Sequence, residues 1–315
     1  MSVLAPNDAT GPATFLTQRR APTPGAVVEL LKPITWFPPM WAYACGAISV
    51  GLAPDRWIYV AAGVLLAGPM VCGTSQAIND WFDRHVDAIN EPGRVIPSGR
   101  MPGRWGLWVA LAGTVISALF AVLLGTWVFI ATLIGLAMAW AYSAPPVRLK
   151  MNGWFGNGAV GFSYETLPWI TAGAAALGGL PSMEVLMVAL AYGLGAHGIL
   201  TLNDFKAMEG DRAMGVATLP IRLGPRNAAL LAALTMLIPQ ACIATWLLAT
   251  DALIAGAVVA ALTLAQAVAA HRLVADPVRN AVWFSAVGVG LYVSGMMATA
   301  ISLGSTGSLV STGGL

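Results

Sequence analysis

Apolar residues in this chain come in runs of about twenty, the length a helix needs to cross the hydrocarbon core of a bilayer. No other feature constrains the fold so tightly. Nine such stretches occupy residues 35–53, 57–77, 105–123, 126–143, 158–178, 185–203, 227–248, 252–271 and 281–303. They leave little polar material to cover a soluble surface. Only 10% of the residues are charged and 57% are hydrophobic, with mean hydropathy +0.74, whereas soluble domains carry about 25% charged residues. The expected fold is all-α: a polytopic bundle of nine transmembrane helices over residues 32–304, with the lipid bilayer as its solvent. Residues 1–31 carry none of the regions of a signal peptide and read as a polar, mobile N-terminal tail. Residues 305–315 read as a short tail on the far side.

The basic residues test the span count independently. With nine spans, Arg19, Arg20 and Lys32 fall on one side of the membrane. Arg84, Arg94, Arg100, Arg104, Arg148 and Lys150 fall there too, as do Lys206, Arg212, Arg222, Arg226, Arg272 and Arg279. Arg56 alone falls on the other side. By the positive-inside rule the N-terminus is cytoplasmic and the C-terminus periplasmic, in a cell inner membrane. A net charge of only +2 gives no reason to expect nucleic acid as a partner. Cys45, Cys72 and Cys242 stand apart in apolar segments and read as small buried hydrophobes. His85, His197 and His271 form no metal motif. The 35 glycines suit close helix packing in lipid, and Gly125 and Gly135 are read as packing residues.

Acidic residues are scarce, and their placement is uneven. At the end of the second span, Asn79-Asp80 begins a series in which Asp80, Asp83 and Asp87 recur three and four residues apart. On a helix they share one face. Like charges at this spacing repel, so something cationic should offset them. At the end of the sixth span, Asn203-Asp204 is followed by Glu209 and Asp211. Asp204 and Asp211 stand two turns along one face if the helix continues, and Gly210 is a candidate break. Two facing sets of hard oxygen ligands suit Mg²⁺, which binds through one or two carboxylates together with substrate phosphate oxygens. Arg94, in a Pro/Gly-shaped loop, can fork onto phosphate. Arg148 and Lys150, in Tyr142-Ser143-Ala144-Pro145-Pro146-Val147-Arg148-Leu149-Lys150, could do the same.

These residues also resemble a known pattern. Asn79-Asp80-x-x-Asp83-x-x-x-Asp87, followed by Asn90-x-Pro92-x-Arg94-x-Ile96-Pro97-Ser98-Gly99, resembles the first motif of the UbiA family of intramembrane prenyltransferases. Asn203-Asp204 to Asp211 resembles the second. The branch most like this chain contains the chlorophyll and bacteriochlorophyll synthases. That likeness rests on Asp80-Trp81-Phe82-Asp83-Arg84, Glu209-Gly210-Asp211-Arg212-Ala213-Met214-Gly215, Tyr142-Ser143-Ala144-Pro145-Pro146 and Leu167-Pro168-Trp169. Tyr164-Glu165 and the segment Ile34–Trp41 lean toward the bacteriochlorophyll side. One departure is Ala207, where the family often has a further Asp.

The resemblance implies esterification of the propionate of bacteriochlorophyllide with geranylgeranyl or phytyl diphosphate. Asp80, Asp83, Asp204 and Asp211 would be the catalytic residues. Asn79, Asp80, Asp83, Asp87, Asn203, Asp204 and Asp211 would hold Mg²⁺. Asn79, Arg94, Asn203, Lys150, Lys206, Tyr142 and Glu165 would bind substrate. Glu165 is the one acid expected at depth, either facing the cavity toward the ring's polar edge or, as readily, packed and protonated. His197 is a candidate axial ligand for the pigment metal, though a core histidine is the commoner reading. Some of Trp36, Trp41, Trp81, Trp154 and Trp169 would stack on the ring, although membrane-interface anchoring is the more common role. The rivals are another acceptor, a quinone precursor or haem, and a transporter.

Overall fold

The computed structural model describes residues 21–51 and 55–312. The expected tail up to residue 20, with Arg19 and Arg20, lies outside the described residues, as do positions 52–54 and the last three residues. Among the described residues no strand forms, and the only β-bridge is the isolated pair Asn152 and Ala217.

The elements follow the apolar runs. A short helix, α1 (Pro24–Leu30), precedes α2 (Phe37–Ser49). Then come α3 (Trp57–Asn90), α4 (Trp105–Val122) and α5 (Thr126–Ser143). α6 runs over residues 153–177, and α7 is Met183–Asp204. Two short helices, α8 (Met208–Ala213) and α9 (Leu219–Leu223), lead to α10 (Pro225–Ala249), α11 (Leu253–Ala275) and α12 (Pro277–Thr312).

Seven of these are long and apolar enough to cross a membrane: α3, α4, α5, α7, α10, α11 and α12. The other two expected spans are helical but differ in kind. α2 has 13 residues, about 20 Å at 1.5 Å per residue. α6 is interrupted by polar residues, including Asn157 and Glu165.

Two segments expected in the terminal tails are helical. Residues 24–30, expected in a mobile tail, form α1 because Thr23 caps the helix through its hydroxyl and Pro24 opens it. Leu30 of α1 is fully buried beside Ala77, Ile78, Val95, Ile96 and Met101. At the other end, α12 continues past residue 304 to Thr312.

The larger core lies in the second half of the chain. α7, α10, α11 and α12 pack together, and α12 returns against α2. Small residues allow this close approach. A side chain at Gly46 would collide with the backbone of Trp169, and one at Gly161 with that of Gly193. Gly125 is not a packing residue. Its φ of +116° marks the turn between α4 and α5, a conformation that favours glycine, and nothing lies near it.

Two helices widen to π-helical turns, at Leu66–Cys72 in α3 and Phe162–Thr166 in α6. Pro69 lies within the first and Pro168 just after the second. A proline has no N–H to give and crowds the carbonyl four residues back, so the backbone bonds there shift. Such wide turns occur often at functional sites, and both of these border a cavity.

Candidate active site

The cavity has a volume of about 320 Å³ and lies between α2, α3, α5, α6 and α7. Most of its wall is apolar, with Leu66, Val71, Ala131, Met138 and Leu167. One end is polar. There Asn79 of α3 and Asn203 of α7 face the same space, with Tyr142 of α5. Asn79, in the last third of α3, and the end of α7 therefore meet at one cavity. A second contact ties them: Asn90 Nδ2 lies 3.4 Å from Met214 Sδ, just past α8. The charges of Asp83, Asp204 and Asp211 all act on the Tyr142 hydroxyl, so both clusters bear on one residue.

The first cluster sits on an unbroken helix, and cations from three other segments meet it. Lys32 Nζ donates to Asp80 Oδ1 at 2.6 Å. Arg94 Nη1 reaches the same oxygen at 3.4 Å and Asp87 Oδ2 at 3.0 Å. Lys150 Nζ donates to both oxygens of Asp83 at 2.6 Å, with Arg148 Nη2 at 3.7 Å. Asp80 and Asp87 are buried. Lys32 and Arg148 both hold left-handed backbone, φ +46° and +43°. This is unusual for residues with a Cβ, and here both deliver a cation to the acids. Asn79 donates to Ser143 Oγ at 3.3 Å.

Electrostatics follow from this packing. Burial lowers the Lys150 pKa, although the charge of Asp83 opposes that shift. The hydrogen bond from Arg94 holds Glu91 below the usual carboxylate range.

The second cluster is built differently. α7 stops at Asp204, and residues 205–207 turn before α8 begins. The break therefore falls ahead of Gly210, which lies inside α8. Asp204 and Asp211 do not sit on one continuous helix face. Asp204 Oδ2 accepts a hydrogen bond from Asn157 Nδ2 at 3.0 Å, and Asn157 also bonds Thr201 Oγ1 at 3.2 Å. Burial raises the Asp211 pKa. Among the described residues neither acid has a cation within salt-bridge distance. Lys206 is exposed and carries no ion pair, and Glu209 is exposed.

Other expected residues lie elsewhere. Glu165 is buried but does not line the cavity. Among the described residues its Oε2 lacks a hydrogen-bond partner. The π-helical turn gives Ser163 and Tyr164 to the cavity and points Glu165 away. His197 is buried against Trp154, with ring centroids 5.7 Å apart. None of Trp36, Trp41, Trp81, Trp154 and Trp169 lines the cavity. Trp169 stacks on Tyr192 and donates to Ser49. Cys45 and Cys72 are buried, whereas Cys242 is exposed.

Three features escaped the sequence reading. Lys32 looked like topology charge. Asn157 stood alone in an apolar run. The third is a polar cluster on the cavity wall, one turn below Asn79. There Gln76 Nε2 donates to the Tyr164 hydroxyl at 3.0 Å, with Cys72 and Ser75 close by. The prolines in spans were the available signal for the altered wall.

Among the described residues no three His, Cys, Asp or Glu side chains gather tightly enough to hold an ion unaided. The donor set still fits Mg²⁺. Asp and Asn oxygens stand on both sides of one mouth, and this ion takes few protein ligands when phosphate supplies the others. The half-buried Asp204, with an amide as its only hydrogen-bond partner among the described residues, lacks the positive charge such an ion brings.

A model described as the UbiA prenyltransferase family matches residues 35–301. The chain belongs to that family. Its UbiA relatives include the bacteriochlorophyll synthase 33 kDa chain of Cereibacter sphaeroides, 52% identical over 91% of this chain and 96% of the relative. Chloroplastic chlorophyll synthase of Arabidopsis thaliana is 37% identical over 87% of this chain and 73% of that protein. A solved UbiA homologue from Archaeoglobus fulgidus, bound to GPP and Mg²⁺, has the same fold. Its TM-score is 0.67 at 18% identity, covering 89% of this chain and 99% of the other. The likeness read from the motifs is thus borne out, as is the helical membrane fold.

Proposed function

We propose that this chain esterifies the propionate of bacteriochlorophyllide with geranylgeranyl or phytyl diphosphate and releases diphosphate. One observation carries the reading: Asn79 and Asn203, each followed by an aspartate, line the same cavity, most of whose wall is apolar. Asn79 and Leu66 are 13 residues apart on α3, so the cavity runs about 20 Å along the helix. The 16-carbon main chain of a C20 isoprenoid, at roughly 1.2 Å per bond as in extended backbone, is about as long. Identity of about half to bacteriochlorophyll synthases supports this acceptor over a quinone precursor or haem.

In this reading Asp80, Asp83, Asp87, Asp204 and Asp211, with Asn79 and Asn203, hold Mg²⁺ against the diphosphate. The ion's charge makes diphosphate a better leaving group. Arg94, Lys150 and Lys206 take phosphate oxygens, and Tyr142 donates to them from between the clusters. Cations already in place stabilise charge as it builds, without reorganising at that moment. The allylic C–O bond breaks and its electron pair leaves with diphosphate. A propionate oxygen of the acceptor forms the new C–O bond. That carboxylate is already ionised near neutral pH, so it needs no general base. The apolar wall below the mouth keeps water from capturing the cationic carbon.

The same reading places this mouth, the N-terminus and the basic loops on the cytoplasmic side of the inner membrane. The C-terminus is then periplasmic.

The test gives membranes containing the chain geranylgeranyl diphosphate and Mg²⁺. Bacteriochlorophyllide, chlorophyllide, 4-hydroxybenzoate or haem is then supplied as acceptor. The expected product, identified by mass, is the bacteriochlorophyllide ester. It disappears with EDTA and returns with Mg²⁺. Product from 4-hydroxybenzoate or haem alone overturns the assignment.

A further inference from the structure

Lys32 and Arg94 reach the same oxygen, Asp80 Oδ1, from opposite segments of the chain. Neither is placed by the helix that carries Asp80. Lys32 follows α1, and its amide donates to the Glu29 carbonyl at 3.2 Å. Arg94 lies in the loop between α3 and α4.

One side chain joins these two segments. The Arg100 guanidinium makes a two-pronged ion pair with Glu29, in which Nη1 meets Oε2 and Nη2 meets Oε1 at 2.7 Å. The same Nη2 donates to the Gly93 carbonyl at 2.8 Å. Arg100 thus grips a residue three before Lys32 and the residue just before Arg94. Beneath this grip Leu30 packs with Val95, Ile96 and Met101. Arg100 and Glu29 are themselves nearly half exposed and touch none of the cluster acids.

We propose that Glu29 and Arg100 are positioning residues, whose ion pair sets the spacing at which Lys32 and Arg94 converge on Asp80 and on an incoming diphosphate. The inference rests on the reading of the mouth as the diphosphate site. An exposed ion pair is usually worth little, but a two-pronged Arg–carboxylate pair within a network is the recognised exception. Here its role is geometric. Without it, α1 and the 91–104 loop keep their apolar contact but lose the polar pin that fixes their cations in register.

The test measures donor KM, acceptor KM and kcat on the full chain in membranes, for Glu29→Gln, Arg100→Met, their combination and Arg100→Lys. Binding of inorganic diphosphate with Mg²⁺ and thermal unfolding are measured alongside. Each single change is expected to raise donor KM on the order of five-fold, with kcat and acceptor KM unchanged. The double variant is expected to be no worse than either single one, because paired residues do not add. Arg100→Lys should fall between. A pair that merely stabilised the fold would lower the unfolding temperature and leave the constants per folded molecule as they were. That result overturns the proposal, as do additive effects or a loss confined to kcat. If the wild-type protein binds no Mg²⁺-diphosphate, the reading of the site fails. If it binds and the variants bind equally well, only the positioning role fails.

Discussion

Each acid cluster begins beside an asparagine that lines the same cavity, Asn79 or Asn203, yet the two clusters are held in opposite ways. On α3, Asp80, Asp83 and Asp87 are all met by protein cations from α1's end, the 91–104 loop and the loop before α6. On α7, Asp204 has an amide, and among the described residues neither it nor Asp211 has a cation within salt-bridge distance. An unbroken helix with like charges at three- and four-residue spacing needs counter-charge to persist. A cluster split across a helix end spreads its charges and does not. In the proposed reaction the first cluster would therefore exchange partners when diphosphate arrives, its lysines and arginine passing from carboxylate to phosphate. The second has no resident cation to displace, and it should dominate the affinity for the divalent ion.

The largest expected effect tests that contrast directly. Asp80→Ala and Asp204→Ala should each lower turnover by about a thousand-fold, or ~4 kcal/mol, while the protein still inserts. The milder Asp80→Asn and Asp204→Asn variants should then separate. Half-saturating Mg²⁺ is expected to rise further for Asp204→Asn. Ester formation across a Mg²⁺ titration measures it, and equal shifts would break the contrast.

Next come the cations. Charge-assisted hydrogen bonds contribute roughly 1.5–3 kcal/mol, so Arg94→Met and Lys150→Met should each raise donor KM by about ten- to a hundred-fold. Lys150→Met also leaves Asp83 with only the more distant Arg148. Added Mg²⁺ should therefore partly rescue Lys150→Met, whereas it should not rescue a loss on the α7 side. Rescue on both sides would mean that the clusters are equivalent after all.

A smaller effect is expected at Asn157. Asn157→Leu removes the one hydrogen-bond partner that Asp204 has among the described residues, at roughly 1–3 kcal/mol. Catalytic efficiency should fall by about ten-fold, with half-saturating Mg²⁺ altered as well. Steady-state kinetics at fixed donor concentration show both.

What was legible in the sequence follows the same physical division. Spans were legible because lipid leaves a chain no choice but long apolar helices, so their positions survive without any alignment. The acids were legible because carboxylates are rare in such a chain and each cluster opens with Asn-Asp. The partners were not. Lys32 and Asn157 act across the bundle, and a lone residue in a loop or an apolar run carries no mark of what it will face. The helix break after Asp204 was placed at Gly210 because glycine is the usual punctuation, whereas the chain turns at Phe205–Ala207. Glu165 was expected in the cavity because an acid at depth suggests function. The π-helical turn beside it rotates the wall, and periodicity counted at 3.6 residues cannot register that.

The smallest effect serves as the control on the comparison, since it touches the cavity and neither cluster. Gly135 of α5 faces the cavity, and a side chain there would meet Leu167 of α6 and Val71 of α3. Gly135→Ala should be nearly silent, because flexible side-chain ends can give way by tenths of an ångström. Gly135→Leu would close the passage between the mouth and Leu66, and a C20 chain would no longer lie straight. Binding of the tail is the same in ground and transition states, so its loss appears in KM and leaves kcat alone. Efficiency with the C20 donor relative to a C10 donor should fall by roughly ten-fold, the scale of hydrophobic fit. Half-saturating Mg²⁺ should not move. If it does, the metal and the tail are coupled, and the contrast between the clusters can no longer be read from Mg²⁺ titrations of their variants.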